Sequence, residues 1–373
     1  MKPNITLFFI LMLGSIFICL HYSVPLHTFA LNHISKIAQS KSETLTKLSN
    51  TSALDSLKIE SISPKAELNC AKVESNSPKI QSDENKIVPD HRFCACTHCI
   101  SKPNVSEWFD KRFNSTAHPL LSKTNSNLSE EQYQFWMQLQ PQNPSASYDV
   151  IIQRLLELFP SEDNYLDQSP SRCRSCAIVG NSDNLSGSNY GTMIEEHDFV
   201  MRVNRGKTEG YEKDVGAKTT HHFMYPESAT NLKNNTRLVL VPFKIIDLQW
   251  LISVATKSKV NHTYESVLST LEFNKAKVLV YHPAFIKYVY DIWTEKHGRY
   301  PSTGFLVLIF ALHVCDEVNV YGYGANSKGE WKHYWENITD SPYPSVHSGD
   351  SEYNTILKLD DIGKIKLYKG IKT

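Results

Sequence analysis

Six short apolar runs, separated by longer segments of helical pattern, constrain the fold of this chain more than any other feature. The runs begin at Cys176, Phe199, Thr220, Arg237, Lys277 and Glu317. Short apolar runs of this kind are typical of strands that are buried in a parallel sheet. The stretches 243–256 and 303–314, which lie between such runs, have the length and composition of helices. Strands that alternate with helices predict an α/β fold, with a mostly parallel sheet covered by helices on both faces.

Three segments ahead of the first run also have helical spacing. Segments 106–115 and 130–139 repeat aromatic residues at this spacing, and 148–159 is a cleaner amphipathic pattern. We expect each to be a helix that packs its apolar face against the core. The folded domain is therefore predicted to begin near His91 and to span residues 91–373.

The N-terminus contains an uncharged apolar stretch at residues 5–24, preceded only by a four-residue tail, 1–4, with Lys2 as its charge. Its length is close to that needed to cross a thin secretory membrane, and the charge weakly favours a cytoplasmic N-terminus. We interpret it as a transmembrane signal anchor. A cleaved signal peptide is the alternative, and both send the rest of the chain into the secretory lumen.

Residues 25–90 are rich in Ser, Lys, Asn, Thr and Glu and poor in aromatic residues. They lack a sustained apolar period, so we predict a flexible stem, although scattered leucines leave a weak helix as the alternative.

Sequons and cysteines agree with a lumenal environment. Asn-x-Ser/Thr sequons follow the anchor at Asn50, Asn104, Asn114, Asn127, Asn184, Asn234, Asn261 and Asn337. Cysteines follow it at Cys70, Cys94, Cys96, Cys99, Cys173, Cys176 and Cys315. Two Cys-x-x-Cys pairs permit a four-thiolate zinc site, but their wide separation and an oxidising lumen favour disulfides.

Charge excludes several functions. Lys plus Arg and Asp plus Glu are equal at 39 each, so no basic field exists to attract nucleic acid. The chain has no Asp-x-Asp, which argues against a metal-dependent nucleotide-sugar transferase. Asp360 and Asp361 are adjacent, and we expect them on the surface rather than across a cleft as a glycosidase requires.

The first strand is followed by a loop rich in Gly, Asn and Ser, in Ala177–Ser188. Ligands bind at the carboxyl ends of such strands, where backbone amides can hold phosphate and where Asn181 and Asn184 offer donors and acceptors for a base or ribose. A plain strand-to-helix connection is about equally compatible with this loop.

Polar residues occur in two further apolar contexts. Arg202 and Asn204 alternate with apolar neighbours on a predicted strand, where a polar group must be satisfied or must face a ligand. For Arg202, pairing with a carboxylate inside the fold is at least as good an interpretation. Ser302, Thr303 and Gly304 precede a predicted helix, so they can cap its free amides and also attract an anion.

Two histidines lie in polar, aromatic-rich sequence that has a loop-like pattern. They are His333, within 331–337, and His347, within 346–352. An imidazole can remove a proton from a sugar hydroxyl near neutral pH, but a single histidine is more often structural.

Four segments together resemble the sialylmotifs of the animal sialyltransferases. Residues 173–228 resemble the large motif (L) and residues 297–321 the small motif (S). His333-Tyr334-Trp335-Glu336 resembles motif III, and His347 with Glu352 matches the very small motif (VS), His-x4-Glu. HHFMYPES, VPFK and GRYPSTG are most similar to the branch that acts on Galβ1,3GalNAc.

The resemblance implies a single α/β/α Rossmann-like domain, a variant of the GT-A fold, in a Golgi type II membrane protein. It implies transfer of sialic acid from CMP-sialic acid to the 3-hydroxyl of a terminal galactose, on a glycoprotein or glycolipid, by an inverting displacement without metal or cofactor. His347 resembles the general base, and His333 resembles the residue that hydrogen-bonds the CMP phosphate. An inactive glycan- or CMP-binding relative is the alternative.

The same resemblance implies further roles. The residues implied to bind the donor are Asn181, Asn204, Tyr264, Tyr300, Ser302, Gly304 and Gly324, and Gln140 is implied to bind the acceptor. The implied disulfides are Cys94–Cys99, Cys96–Cys173 and Cys176–Cys315. Cys70 then has no partner, so an interchain bridge in a homodimer is possible. Because the Asn184 sequon lies in the donor loop, we expect it to carry no glycan.

Overall fold

The computed structural model describes residues 94–370, except 142–145, 160–164, 166–168, 261, 327 and 337–345. The predicted tail, anchor and stem, together with Cys70, lie outside the described residues. Within the described ranges, no helix is both long and apolar enough to cross a membrane.

Helices ahead of the sheet follow the predicted pattern. They are α1 (Glu107–Asp110), α2 (Glu130–Met137) and α3 (Tyr148–Leu158). Helix α2 begins at a capping box, in which the Ser129 side chain accepts from Gln132 N and the Gln132 side chain accepts from Ser129 N. Helix α1 is only one turn long, shorter than the predicted segment 106–115.

Seven strands of the described chain form one parallel sheet. They are β1 (Ser175–Val179), β2 (Phe199–Val203), β3 (His221–Met224), β4 (Arg237–Leu240), β5 (Val278–Val280), β6 (Glu317–Tyr321) and β7 (Lys366–Tyr368). Their order is β5-β4-β3-β2-β1-β6-β7, and every pairing is parallel. The first six strands confirm the strand predictions, and the α/β class follows from the sheet and its helices.

Helices connect these strands. They are α4 (Gly191–Glu195), α5 (Glu212–Val215), α6 (Ile245–Thr256), α7 (Pro283–Tyr288), α8 (Thr303–Val314) and α9 (Gly349–Asp361). Shorter 3₁₀ turns occur at Asp183–Leu185, Pro226–Ser228 and Lys275–Lys277, and a π-helical turn at Val289–Trp293. Helix α8 is apolar around its circumference and almost entirely buried, and it packs against β1, β2, β3 and β6.

The sheet is covered on both faces. Along β1, Cys176 and Ile178 belong to the larger apolar cluster, which includes most of α8. Ala177 and Val179 point the other way, into a smaller cluster with Ile194 of α4 and Val215 of α5. This alternation is the two-residue period of a strand, and it explains why every β1 position after the first is apolar.

The sequence analysis treated 346–352 as loop, and this was wrong from Gly349 onward, where α9 begins. Strand β7 was not predicted at all. It pairs with β6 and packs against α9, so these two C-terminal elements complete one edge of the sheet.

Six cysteines form three disulfides: Cys94–Cys99, Cys96–Cys173 and Cys176–Cys315. These are the pairs that the family resemblance implies. The zinc alternative is therefore wrong for Cys96, Cys99, Cys173 and Cys176, because all four sulfurs are already bonded to sulfur.

The strand order creates a crevice at one end of the sheet. From β1 the chain runs outward to β5 and then returns to β6, on the other side of β1. The loops that follow β1 and β6 consequently separate in opposite directions. In open α/β sheets ligands bind outside the carboxyl ends of the strands at such a switch point.

Candidate active site

A cleft of about 550 Å³ opens at this switch point. Every residue to which the family resemblance assigns a role in binding or catalysis lines it. They are Gln140, Asn181, Asn204, Tyr264, Tyr300, Ser302, Gly304, Gly324, His333 and His347. Residues from the loops after β1, β2 and β6 thus meet residues that precede α8 and α9.

The loop after β1 forms the floor of the cleft and requires glycine at its first position. A Cβ on Gly180 would lie 2.3 Å from the carbonyl oxygen of Gly322. The next residues are held by the neighbouring loops: Asn181 Nδ2 donates to Val203 O at 3.3 Å, and Ser182 Oγ donates to Gly324 O at 2.6 Å. Close backbone approach is what this loop needs if it is to hold a nucleotide.

Asn204 follows β2 in a left-handed conformation, with φ of 53°. Asparagine tolerates this region better than most residues. Its Oδ1 accepts from Ser228 Oγ at 3.1 Å, and its carbonyl oxygen accepts from His222 Nε2 at 2.6 Å. The strained position is thereby fixed by contacts from β3 and from the turn after it.

The N-terminus of α8 is capped by Ser302, and Ser302 also binds a carboxyl group. Ser302 Oγ accepts from Phe305 N at 3.1 Å, which is an ordinary helix cap. The same hydroxyl donates to Glu352 Oε2 at 2.6 Å, and Ser302 N donates to Glu352 Oε1 at 2.7 Å. Burial raises the pKa of the Glu352 carboxyl to about 7, although both bonds from Ser302 oppose the rise.

Two glycines keep this side of the cleft open. A Cβ on Gly304 would lie 3.3 Å from the ring of Tyr323, whose hydroxyl donates to Gly304 O at 2.8 Å. Gly324 has φ of 89°, and a Cβ there would lie 2.5 Å from the ring of Tyr353 on α9. Any larger residue at position 324 would have to displace the Tyr353 ring.

The imidazole of His347 is fixed by Tyr300. His347 Nδ1 lies 2.8 Å from Tyr300 O, and the two rings meet edge to face at 5.0 Å. A carbonyl oxygen can only accept, so Nδ1 carries the proton and the neutral ring has an unprotonated Nε2. Burial lowers the pKa of His347, partly opposed by the bond to Tyr300. The lowered pKa and the unprotonated Nε2 both suit a base that works near neutral pH.

His333 also lines the cleft and lies in the segment after β6. The backbone of His333 forms an isolated antiparallel bridge with that of Ser182 in the β1 loop. Nδ1 bonds Glu336 Oε2 at 2.7 Å, and the ring stacks on Trp335 with centroids 4.7 Å apart. The carboxylate accepts this hydrogen bond, so Nδ1 carries a proton, and the stacked indole fixes the plane of the ring.

One wall of the cleft is formed by Gln140, Tyr264 and Tyr300. Gln140 Nε2 donates to the hydroxyl of Tyr300 at 3.3 Å. Its Oε1 accepts from Lys244 Nζ at 2.8 Å. Because Tyr300 also contacts His347, this wall is continuous with the imidazole.

Two expectations from the sequence were wrong. Asn184 does not face the cleft: it is 7% exposed, and its Nδ2 donates to Tyr323 O at 2.7 Å. Arg202 pairs with no carboxylate in the described chain. Its guanidinium instead donates to the backbone carbonyls of Val215, Gly216 and Lys218. A polar residue on an otherwise apolar strand therefore marks a structural arginine here.

Other cleft residues were missed. Tyr225, Phe243, Tyr323 and Trp331 line it as well. Tyr323 had a usable signal, because it lies two residues beyond β6, at the carboxyl end of a predicted strand. Trp331 had none beyond its position near His333, yet it is 58% exposed at the cleft.

Comparisons with known proteins agree with this geometry. A model described as glycosyltransferase family 29 (sialyltransferase) matches residues 120–364. The chain is 49% identical, over 282 residues, to CMP-N-acetylneuraminate-beta-galactosamide-alpha-2,3-sialyltransferase 2 of Mus musculus. This alignment covers 75% of this chain and 81% of the mouse protein. The chain is also 49% identical over 284 residues to the protein named alpha-2,3-sialyltransferase 1 of the same series in Sus scrofa, covering 75% and 83%.

A solved structure is similar as well. It is a mammalian sialyltransferase in complex with Gal-beta-1-3GalNAc-ortho-nitrophenol, 49% identical in sequence, with a TM-score of 0.70. The match covers 74% of this chain and all of that one.

Proposed function

Because this chain belongs to glycosyltransferase family 29, the sialyltransferases, we propose that its cleft transfers sialic acid from CMP-sialic acid to the 3-hydroxyl of a terminal galactose. The chain is a beta-galactoside alpha-2,3-sialyltransferase in this proposal, and the preferred acceptor is Galβ1,3GalNAc on a glycoprotein or glycolipid. Its similarity to a sialyltransferase solved with an analogue of that disaccharide supports the choice of acceptor.

One observation carries the proposal: His347 is held with its proton on Nδ1, in the same cleft as the glycine-rich floor and His333. The galactose 3-hydroxyl gives its proton to Nε2 of His347. The hydroxyl oxygen attacks the anomeric carbon of sialic acid as the bond from that carbon to the CMP phosphate breaks. The bonding pair leaves with the phosphate, and the anomeric configuration inverts.

His333 assists the departure of CMP in this scheme, by a hydrogen bond to the phosphate. The donor is held by Asn181, Asn204, Ser302, Gly304 and Gly324, with Tyr264 and Tyr300. Gly180 and Gly324 let the backbone approach the nucleotide closely, and the amides at the start of α8 suit its negative charge. Positioning and phosphate stabilisation then supply most of the catalysis, with one base.

The reaction as proposed uses no metal or cofactor. Among the described residues, no group of three or more His, Cys, Asp and Glu side chains could hold a metal ion. A monophosphate can leave with the help of hydrogen-bond donors alone, whereas a diphosphate commonly needs a cation.

We further propose a Golgi type II membrane protein, with residues 5–24 as signal anchor, 25–90 as stem and 91–373 as lumenal catalytic domain. The uncharged apolar stretch and the sequons support this arrangement. The three disulfides of the catalytic domain fit an oxidising lumen. Cys70 is available in the stem for a bridge between two copies.

The test is turnover by the purified lumenal part, residues 25–373. We expect CMP release with Galβ1,3GalNAc acceptors, much less with Galβ1,4GlcNAc, and no loss on adding EDTA. NMR of the product checks the linkage to the galactose 3-hydroxyl. CMP binding without turnover on any acceptor would instead indicate an inactive relative.

His347→Ala tests the base. We expect kcat to fall by roughly 10²- to 10⁴-fold, the usual contribution of a general base, while CMP still binds. In the wild type the acid limb of kcat/KM should lie below pH 6.5, because the pKa of His347 is lowered and the ring must be neutral to act. His118→Gln, an exposed imidazole outside the cleft, is the control. Near-normal turnover of His347→Ala would remove this residue from the mechanism.

A further inference from the structure

Lys244 is a buried cation directly behind the wall formed by Gln140, Tyr264 and Tyr300. It lies at the N-cap of α6, with its side chain 1% exposed, and does not line the cleft. Its Nζ lies 3.0 Å from Glu227 Oε1 and 2.8 Å from Asp247 Oδ1. A charge buried to this extent requires such partners, because removing it from water is costly.

The two carboxylates fix Lys244 to separate parts of the fold. Asp247 Oδ2 accepts from the backbone N of Phe243 and of Lys244, at 2.8 and 3.2 Å, which anchors the main chain at the start of α6. Glu227 comes from the turn after β3, and its Oε1 also accepts from Thr263 Oγ1. The ammonium therefore has little freedom to move.

The fixed ammonium determines how Gln140 is presented. A carboxamide has one accepting oxygen and one donating nitrogen, and an ammonium can only donate. Lys244 Nζ donates to Gln140 Oε1 at 2.8 Å, so Nε2 must point the other way, toward the hydroxyl of Tyr300. The cleft is thus given a hydrogen-bond donor, not an acceptor, at this position.

Lys244 also contacts the opposite part of the same wall. Its Nζ lies 4.6 Å from the centre of the Tyr264 ring, within the range of a cation–π interaction. Tyr264 is 46% exposed and belongs to a loop, so a buried neighbour is needed to hold it. One cation therefore positions two cleft residues that are far apart in the sequence.

We propose that Lys244 is a positioning residue that sets the affinity for the acceptor sugar. This inference rests on the proposed function and adds the residue that orients Gln140, the residue proposed to bind the acceptor. The acceptor is affected more than the donor, because Lys244 orients the amide of the acceptor residue Gln140 through a 2.8 Å hydrogen bond, whereas it contacts the donor residue Tyr264 only at the ring face. Within the described chain, the polar contacts of Lys244 do not include His333, the residue proposed to bind the phosphate.

The experiment compares Lys244→Met with Lys364→Met. Lys364 is a matched control: it is 4% exposed, donates to Ile100 O and Lys102 O, and lies 4.4 Å from the Phe109 ring, outside the cleft. Loss of a hydrogen bond to a charged group corresponds to roughly a tenfold or greater rise in acceptor KM. We expect that rise in Lys244→Met, with a smaller rise in donor KM that follows from the weaker contact with the Tyr264 ring. Lys364→Met should lose thermal stability but keep both KM values.

Lys244→Met leaves two buried carboxylates without their cation, so a second variant guards against misfolding. Lys244→Met with Asp247→Asn removes one of these charges and should still raise the acceptor KM more than the donor KM. Gln140→Leu and the double variant Gln140→Leu with Lys244→Met should have similar acceptor KM values, because both act through the same amide. Folded variants whose two KM values are unchanged, or rise equally, would overturn the proposal.

Failure of the proposed function gives a different result. In that case the wild-type protein itself would have no turnover, and Lys244 would be tested by binding alone. Titration calorimetry with free Galβ1,3GalNAc should then show weaker binding to Lys244→Met and unchanged binding to Lys364→Met. Equal affinity of both variants for the disaccharide would reject the role of Lys244 independently of catalysis.

Discussion

Asn184 shows how a single side chain can contradict the simplest interpretation of its sequence context. It lies in the predicted donor loop and begins an Asn-Leu-Ser sequon, so the sequence alone suggests a ligand-binding residue or a glycan site. The structure uses its amide differently: Nδ2 donates to Tyr323 O, which ties the β1 loop to the segment after β6. The residue supports the cleft from behind.

This burial predicts that folded, active protein carries no glycan at Asn184. A glycan would replace one of the two amide hydrogens on a nitrogen that is packed inside the fold. Glycopeptide mass spectrometry checks the site, with the exposed sequon at Asn104 as comparison. Ser186→Ala removes the sequon through an exposed hydroxyl, and it should lower the mass only by that of one oxygen atom and leave activity unchanged. Asn184 glycopeptides from active enzyme would contradict the expectation.

At the scale of elements, the sequence analysis recognised the strands and the helix that are apolar on all sides. It missed a strand and a helix that contain few buried apolar residues. Strands β1 to β6 and helix α8 were recognised because their residues are buried almost throughout. Strand β7 is three residues at the sheet edge, with only Leu367 buried. Helix α9 buries Glu352, Ile356 and Leu359 alone, and one of these three is a carboxylate, so its apolar period is weak.

The same limit applies to the site. Motifs identified the loops and both histidines, since these are local in sequence. Lys244 is different: its partners Gln140, Glu227 and Tyr264 come from separate segments, and no local pattern connects them. A buried ionic cluster becomes visible only when the fold has brought its members together.

The contact between α9 and the start of α8 predicts a pH-dependent stability. The pKa of Glu352 is about 7 in the folded protein, above the ordinary value of 4.5, so the folded state binds more protons between these pH values. Stability should therefore fall as pH rises from about 4.5 to 7, by something of the order of 3 kcal/mol. Glu352→Gln should remove this part of the slope and be at least as stable as wild type at pH 8.

Denaturant unfolding at several pH values measures this slope. Asp350→Asn, in the first turn of the same helix and exposed, is the control and should leave the slope unchanged. Asp247 adds a slope of the same sign, because burial raises its pKa to about 7 as well. Glu352→Gln should therefore reduce the slope without abolishing it, and an unchanged slope would mean that folding does not raise the pKa of the Glu352 carboxyl.

At the scale of the whole domain, the Cys176–Cys315 disulfide joins the two elements that border the cleft, but at their far ends. Cys176 is the second residue of β1 and Cys315 follows the last residue of α8. The cleft lies beyond the end of β1 and at the beginning of α8. Helix α8 alone is about 18 Å long at about 1.5 Å per residue. The bridge therefore constrains the domain at a distance from the chemistry.

We predict that removing this bridge lowers stability much more than it changes catalysis. Cys176 and Cys315 are separated by 139 residues, and the loop-entropy relation gives about 5 kcal/mol for closing a loop of this size. Cys94 and Cys99 are separated by 5, for which the same relation gives about 2 kcal/mol. Calorimetry of the paired alanine variants should show the larger fall in Tm for Cys176→Ala with Cys315→Ala. Its donor KM, measured at a temperature where it remains folded, should stay within about twofold of wild type. A large rise in donor KM in the folded variant would mean that the far ends of β1 and α8 do set the geometry of the cleft.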